Sequence, residues 1–204
     1  MKIIFATSNP NKIKEVRHLL GAPSEILGLS DINWSDPIEE TEPDLEGNAM
    51  LKALAVSNKL EVDCFAEDTG LEINFLQGRP GVKSARYAGE NNDAVKNMAR
   101  VLEEMEGSDD RSAQFRTIIA LSMDGALHLF EGIVRGRIAH NPAGEGGFGY
   151  DPIFIPEGFD RSFGELSAED KSKISHRARA MEKLVLFIEA YAKCKSPELQ
   201  LSRK

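Results

Sequence analysis

Segments with the periodicity of strands alternate along this chain with segments that have the periodicity of helices, and this alternation most restricts the possible folds. Lys2–Thr7 contains an apolar run that predicts a buried strand, and apolar residues between positions 13 and 20 recur at helical spacing. Further along, Phe115–Met123 and Leu127–Val134 predict antiparallel strands joined by a short turn. Hairpins inside an alternating chain favour an α/β fold with a mixed sheet over a purely parallel sheet.

The other elements follow from the same periodicities, and a length of 204 residues suits one large domain or two small lobes that share a core. No repeat or linker divides the chain, so we predict a single domain over residues 1–204. Residues 22–47 are predicted to be irregular, because prolines at positions 23, 37 and 43 interrupt them. Further strands are predicted over Val62–Ala66, Leu71–Phe75, Gly136–Ala139 and Pro152–Ile155, and further helices over Gly47–Lys59, Asn92–Glu106 and Ser175–Lys193.

The charge and cysteine content restrict the partners and the compartment. The net charge of −8 disfavours a nucleic-acid polymer as partner, although local lysines and arginines could still bind a small phosphorylated substrate. No apolar run has the length of a membrane span, so no membrane association is expected. Cys64 and Cys194 are far apart and not in metal-ligand spacing. Together these features predict a cytoplasmic protein with reduced thiols.

The first polar motif, Thr7-Ser8-Asn9-Pro10-Asn11-Lys12, lies between the first strand and the first helix. Backbone N–H groups at a helix N-terminus attract anions, and Lys12 adds a positive charge in the first turn. The same residues are also common helix caps, so both a phosphate site and a plain cap remain open. The motif is not a P-loop, because the required glycines are absent.

Two acidic motifs are candidates for metal binding or for activating a water molecule. Glu67-Asp68-Thr69-Gly70 follows a predicted apolar strand, and Glu39-Glu40-Thr41-Glu42 lies in the irregular segment. Carboxylates at strand ends are suitable ligands for Mg²⁺. The alternative is a β-turn with solvated acidic side chains.

A glycine-rich loop, Gly144–Pro152, contains a G-x-G-x-x-G pattern but does not predict a dinucleotide site. A strand-like segment follows it, where that fingerprint requires a helix. Its glycines instead predict a tight backbone that displays Phe148, whose ring could stack on a base, unless the segment is a plain hairpin loop.

A basic cluster, Lys171, His176 and Arg177, is predicted at the start of the last helix. These residues offer several hydrogen-bond donors for carbonyl or phosphate oxygens. The alternative is a solvated basic face. Cations at a helix N-terminus oppose the helix dipole, which favours a role other than helix stability.

In their order along the chain, these motifs resemble the inosine triphosphate pyrophosphatase family. Additional matching blocks are Asn48-Ala49 with Lys52-Ala53, and Gly81 with Ser84-Ala85-Arg86-Tyr87. The resemblance implies an elongated α/β fold with two lobes around a long mixed sheet and a substrate cleft between them. It also implies a homodimer, a requirement for Mg²⁺, and hydrolysis of deaminated purine nucleotides such as ITP, dITP and XTP to the monophosphate and pyrophosphate.

The resemblance also implies a role for each matching residue. Asp68 would activate water and, together with Glu39, would hold the metal. Phe148 would stack on the purine. The remaining residues would bind substrate. The triphosphate would be bound by Thr7, Ser8, Asn9, Pro10, Asn11 and Lys12, and other parts of the substrate would be contacted by Thr69, Gly149 and Tyr150. The edge of the base would be contacted by Asp151, Lys171, His176 and Arg177.

The chain departs from the family pattern at Gly47, where a glutamate often precedes the Asn-Ala pair and where Glu46 lies one position earlier. The acidic run also offers Glu40 and Glu42 as alternatives to Glu39. Competing functions are a Maf-type pyrophosphatase for modified pyrimidine nucleotides, a nucleotide-binding regulator without turnover, and a structural protein.

Overall fold

A computed structural model describes residues 2–20 and 25–195, and within these ranges the strands form one mixed sheet. The strands are β1 (Lys2–Phe5), β2 (Glu25–Leu27), β3 (Cys64–Ile73), β4 (Pro80–Gly81), β5 (Ser112–Met123), β6 (Ala126–Ile138) and β7 (Phe154–Pro156). Their order in the sheet is β2-β1-β3-β5-β6-β7, and β4 pairs with β3. Strand β1 is parallel to β2 and β3, whereas β3, β5, β6 and β7 are antiparallel. The predicted α/β fold with a long mixed sheet is confirmed.

The helices pack on both faces of this sheet. They are α1 (Pro10–Leu20), α2 (Leu45–Leu60), α3 (Ala94–Glu104), α4 (Ala168–Ile174) and α5 (His176–Lys195). Helices α1 and α5 cover one face, where Phe5 stacks on Phe65 at a ring distance of 4.5 Å. Helix α2 covers the opposite face through a stripe of small residues that includes Ala49 and Ala53. None of the helices in the described ranges is long and apolar enough to cross a membrane.

The apolar core is divided along β3 and β5, and this division positions the cleft. Phe65 and Ala66 belong to the two clusters that sandwich one end of the sheet. Leu71 and Ile73 belong to a third cluster at the other end, which includes α3. The polar residues between these clusters on β3 therefore lie at the boundary between the two ends of the core.

Strand β3 corrects the prediction of two strands separated by an acidic turn. Cys64–Ile73 is one continuous strand that pairs with β5 over its whole length. Glu67 and Asp68 are therefore in the interior of a strand and not in a solvated turn. The backbone hydrogen bonds of a long antiparallel ladder outweigh the turn preference of Asp-Thr-Gly, because tertiary context routinely overrides local propensity.

Other boundaries differ in ways that affect the site. The segment predicted to be irregular contains β2. The helix predicted over Ser175–Lys193 corresponds to α5, but Lys171 lies in a separate preceding helix, α4, which ends at Ile174. Strand β6 runs without the predicted interruption before Gly136, and Phe154–Pro156 replaces the strand predicted to begin at Pro152. The sequence also predicts that Gly21 ends the first helix; Gly21 and the polar C-terminal tail lie outside the described residues.

Candidate functional site

A cleft of about 730 Å³ lies beside the middle of β3, a volume typical of a small-molecule site. Its walls come from the end of β1, the start of α1, the segment before α2, the middle of β3, and the loops around residues 85 and 150. Among the residues predicted to bind substrate or metal, those that line the cleft are Thr7, Ser8, Asn9, Asn11, Lys12, Asp68, Thr69, Phe148, Gly149, Tyr150, Asp151, Lys171, His176 and Arg177. Pro10 and Glu39 are absent from this lining.

The first motif forms a capped helix start at one wall of the cleft. The Asn9 side-chain oxygen accepts hydrogen bonds from the backbone N–H groups of Asn11 (3.0 Å) and Lys12 (3.3 Å). Thr7 Oγ1 accepts from the backbone N–H of Asn9 at 3.2 Å. Asn9 therefore caps α1, and the two interpretations coexist: the motif is a cap, and it also faces the cleft.

Glu67 and Asp68 point to opposite faces of the sheet, because consecutive side chains of a strand alternate. Glu67 faces α5, where Arg177 donates to it through Nε (2.8 Å) and Nη2 (2.7 Å), and Lys12 Nζ lies 3.2 Å away. Burial alone would raise the pKa of Glu67, but the charges of Arg177 and Lys12 outweigh burial and lower this pKa well below its usual range. Glu67 is thus an ionised counter-charge at neutral pH.

Asp68 faces α2 and is the candidate general base. Lys52 Nζ donates to its carboxylate at 3.1 Å, and Asn48 Nδ2 lies at 3.5 Å. Burial raises the pKa of Asp68, and the nearby charges of Lys52 and Lys12 only partly oppose this shift. Lys52 is shared with a second carboxylate, that of Glu40, at 2.5 Å. A buried acid with a raised pKa in a cleft is characteristic of catalytic acids and bases.

The acidic run places Glu40, and not Glu39, at the cleft. Glu40 is half-buried and lines the wall beside Lys52, whereas Glu39 is exposed and does not line the cleft. This placement argues against Glu39 as a metal ligand and favours Glu40. The sequence leaves this choice open because three glutamates lie within four positions of a segment without regular periodicity.

The departure at Gly47 also has a structural explanation. A Cβ atom at this position would lie 2.6 Å from Glu42 Cβ, so the close approach of the acidic run to α2 requires glycine. Glu46 does not replace the missing glutamate at the cleft, because its carboxylate pairs with Arg116. Within the described ranges, no group of three or more histidine, cysteine or acidic side chains is arranged to hold a metal ion.

The glycine-rich loop displays Phe148 at the wall of the cleft. Asp151 fixes the loop, since its Oδ2 accepts from the backbone N–H of Phe148 (2.6 Å) and from Lys171 Nζ (2.7 Å). Gly147 has φ +71°, and a Cβ there would lie 2.0 Å from Asp151 Oδ2, so only glycine fits. Lys171 Nζ lies 5.2 Å from the centre of the half-buried Phe148 ring. Tyr150 has a supporting role, because its hydroxyl donates to the carbonyl of Ser84 at 2.8 Å.

The basic cluster is more completely paired than the sequence predicts. Lys171 is in the last turn of α4, where a cation suits the helix dipole, and it pairs with Asp151 and Glu15. Arg177 is buried and pairs with Glu67 and Glu15. The carboxylates of this network therefore satisfy donors that were expected to be available for substrate.

His176 differs from these two cations because it retains an unsatisfied atom. Its ring stacks on Phe115 at 4.6 Å, and its buried Nδ1 has no hydrogen-bond partner. Burial, and then the charges of Arg177 and Lys171, lower the pKa of His176 well below its usual value. The imidazole is thus neutral at pH 7, and a buried polar atom without a partner beside a cleft indicates a position for a ligand.

Comparison with known proteins identifies the family of this chain. The family model of the Ham1 family matches residues 3–187. This chain belongs to the Ham1 family. A dITP/XTP pyrophosphatase of Christiangramia forsetii is 49% identical over 188 residues, which cover 92% of this chain and 99% of that protein. A dITP/XTP pyrophosphatase of Bacillus subtilis is 45% identical over 191 residues, with 92% and 96% covered.

Solved structures of Ham1 proteins have the same fold. The Staphylococcus aureus Ham1 protein is 38% identical, with a TM-score of 0.85 over 94% of this chain and all of that one. A HAM1 protein from Coxiella burnetii is 36% identical, with a TM-score of 0.83 over 93% of this chain and 99% of the other. The resemblance drawn from the sequence motifs is confirmed, and a Maf-type family is set aside.

Three polar residues of this Ham1-family site have no role assigned by the sequence motifs: Asn48, Lys52 and Glu15. Asn48 and Lys52 are four residues apart on the buried face of α2, among the small apolar residues. The family resemblance includes both residues without a role, and buried polar residues in the apolar stripe of a helix are an unusual feature that could have indicated one. Glu15 carried no comparable signal, because its partners Lys171 and Arg177 are more than 150 positions away.

Proposed function

We propose that this protein hydrolyses deaminated purine nucleoside triphosphates, such as ITP, dITP and XTP, to the monophosphate and pyrophosphate. The observation that carries the proposal is the position of Asp68, a buried carboxylate with a raised pKa in the wall of a nucleotide-sized cleft. The relatives in Christiangramia forsetii and Bacillus subtilis, which are named dITP/XTP pyrophosphatases, support the choice of substrates. The aromatic ring and the carboxylate–lysine cluster on the cleft wall suit the two ends of a nucleotide.

The phosphate groups would lie at the end of the cleft formed by α1, α2 and β3. Lys12 and Lys52 line this end and would bind phosphate oxygens. Asp68 would orient a water molecule and accept its proton during attack on a phosphorus atom, and pyrophosphate would then leave. Lys52 would hold the Asp68 carboxylate in place while that proton moves.

We propose Mg²⁺ as the cofactor because the cleft by itself has little positive charge to offset a triphosphate. Four of the cations that line it, Lys12, Lys52, Lys171 and Arg177, are closely paired with carboxylates, and Arg86 has only longer contacts. Asp68 and Glu40 converge on the same Lys52 nitrogen, so their oxygens fit a hard divalent cation. Mg²⁺ is commonly held by one or two carboxylates together with substrate phosphates and water. When bound, it would neutralise charge that develops on the phosphates.

The base would lie against Phe148, with its edge near His176. Hypoxanthine and xanthine have a carbonyl at C6, where adenine has an amine. A neutral imidazole can donate one hydrogen bond to that carbonyl, and an adenine amine would leave the donor unsatisfied, at about 1–3 kcal/mol. Asp151 and Lys171 would keep the Phe148 loop in position, since both are bonded within it.

Release of pyrophosphate from ITP, XTP, ATP and GTP tests this proposal directly. With Mg²⁺ we expect rapid release from ITP and XTP and little from ATP, and EDTA should abolish the reaction because the paired cations cannot replace the metal. GTP measures a second discrimination, because guanine shares the C6 carbonyl and differs at its C2 amine. Absence of release from every purine triphosphate would contradict the proposed activity. Full activity in EDTA would contradict only the metal requirement.

We also propose a cytoplasmic homodimer, and the uncovered face of β6 supports a dimer. Helix α5 covers one side of this strand through contacts of Phe187 with His128 and Phe130. Leu127 and Leu129 alternate to the other side and are 37% and 45% exposed. Sedimentation analysis should give twice the mass of one chain, and Leu129→Glu should shift it toward the monomer. A monomer for the unsubstituted protein would exclude the dimer.

A further inference from the structure

Arg86 differs from the other cations that line the cleft in the described part of the chain. Lys52, Lys171 and Arg177 each have a carboxylate partner at 2.7 Å or less, and Lys12 has one at 3.2 Å. The contacts of Arg86 are longer, at 3.5 Å to Glu40 and 3.9 Å to Glu90. Its side chain is 38% exposed at the cleft, so much of the hydrogen-bonding capacity of its guanidinium is available.

The backbone around Arg86 is fixed by buried polar side chains. Ser84 Oγ donates to the carbonyl of Gly81 (2.6 Å) and accepts from the N–H of Leu71 (2.8 Å), which attaches this turn to β3. Tyr150 donates to the carbonyl of Ser84, and Asn97 donates to the carbonyl of Ala85 at 2.9 Å. An exposed arginine on so firmly held a turn is arranged like a functional side chain, because binding groups need rigid support.

Arg86 lies at the end of the cleft where the phosphate groups are proposed to bind. Its partner Glu40 shares Lys52 with Asp68, so Arg86 belongs to the same chain of charges as the candidate base. A planar guanidinium with several N–H groups matches the oxygens of a phosphate group. A partly exposed ion pair of this length contributes little to stability, so a purely structural role for the pair is not favoured.

We propose that Arg86 is a substrate-binding residue that contacts the polyphosphate chain, exchanging its long contact with Glu40 for phosphate oxygens. The exchange would leave Glu40 free of Arg86 when substrate enters. This inference depends on the proposed function for the identity of the substrate, but binding of a phosphate chain can be measured without turnover.

Binding of inorganic pyrophosphate tests the proposal by calorimetric titration, with Mg²⁺ and separately in EDTA. Arg86→Gln should weaken pyrophosphate binding about tenfold or more, the usual effect of losing a charge-assisted hydrogen bond. Lys83→Gln is the matched control, because Lys83 is an exposed cation of the same turn that does not line the cleft. Its pyrophosphate affinity should stay within about twofold of the unsubstituted protein. Inosine, which lacks phosphate, should bind Arg86→Gln and the unsubstituted protein equally.

The alternative outcomes separate the two proposals. Unchanged pyrophosphate binding in Arg86→Gln, or no pyrophosphate binding by the unsubstituted protein in either condition, would overturn the role of Arg86. An equal loss of pyrophosphate affinity in Lys83→Gln would overturn it as well, because the effect would then come from the general charge of the protein. An equal loss of inosine affinity in Arg86→Gln would also overturn it, because the substitution would then have damaged the cleft in general. Failure of the protein to hydrolyse ITP, with the pyrophosphate result as expected, would contradict the proposed activity alone.

Discussion

Replacing Asp68 by asparagine should reduce the rate of pyrophosphate release from ITP by about a thousandfold, within the range of about 10²–10⁴ for a lost general base. Asparagine has nearly the same shape, so the strand and its pairing with β5 should persist. The amide cannot accept a proton from water, and it removes one of the two carboxylates that converge on Lys52. The measurement is kcat under saturating ITP, with thermal unfolding of the variant as the test of folding.

Glu39→Gln is the control for this experiment, because Glu39 is an exposed acid in the neighbouring acidic run. It should keep nearly full activity, whereas Glu40→Gln should lose activity and require more Mg²⁺. If Asp68→Asn retained most of the turnover, Asp68 would not be the base. If Asp68→Asn bound nucleotide normally and the unsubstituted protein showed no turnover, the protein would be a nucleotide-binding regulator.

Replacing Arg177 by methionine should lower the free energy of unfolding by about 3–5 kcal/mol, because it leaves buried charge without compensation. Arg177 is 1% exposed, and its guanidinium pairs with Glu67 and Glu15. Methionine fills most of the volume but leaves Glu67 with Lys12 as its remaining ion-pair partner in this network. For a chain of this size the change corresponds to a midpoint lowered by roughly 10 °C, measured by calorimetry or circular dichroism.

Two further variants distinguish the loss of stability caused by an uncompensated buried charge from the loss caused by poorer packing. Arg177→Met combined with Glu67→Gln should be more stable than Arg177→Met alone, because the uncompensated carboxylate is removed. Arg179→Met, at an exposed position on the same helix, should change stability by less than about 1 kcal/mol. Equal losses for Arg177→Met and Arg179→Met would contradict the explanation.

The same ion pair predicts how stability depends on pH. The pKa of Glu67 is lowered in the folded protein, so its contribution is fully present above the ordinary carboxyl pKa of about 4.3. As pH falls below that value toward the lower pKa of the folded state, the unfolded chain binds the proton first and the contribution is lost. Glu67→Gln should therefore show a smaller loss of stability than the unsubstituted protein over this acidic range.

The fold could be predicted from sequence where hydrophobic periodicity is strong. The helices predicted over Asn92–Glu106 and Gly47–Lys59 correspond to Ala94–Glu104 and Leu45–Leu60. The sequence also predicts the hairpin of β5 and β6, because two strand-like apolar segments flank the short turn Asp124-Gly125. Periodicity failed at Glu67-Asp68-Thr69-Gly70, where local turn preference conflicts with a strand that only long-range pairing stabilises.

The amino-acid sequence by itself determined which chemical groups are present and the local segments that carry them: a helix-capping motif with Lys12, an acidic pair on an apolar segment, an aromatic ring on a glycine-rich loop, and a basic cluster. The tertiary structure alone decided their charges and partners. Strand alternation assigned Glu67 to a structural ion pair and Asp68 to the cleft, and long-range contacts paired Arg177 with Glu15 and brought Glu40 to Lys52. The physical reason is that the energy of a charge depends on burial and on neighbours within a few ångströms, and sequence separation does not specify those neighbours.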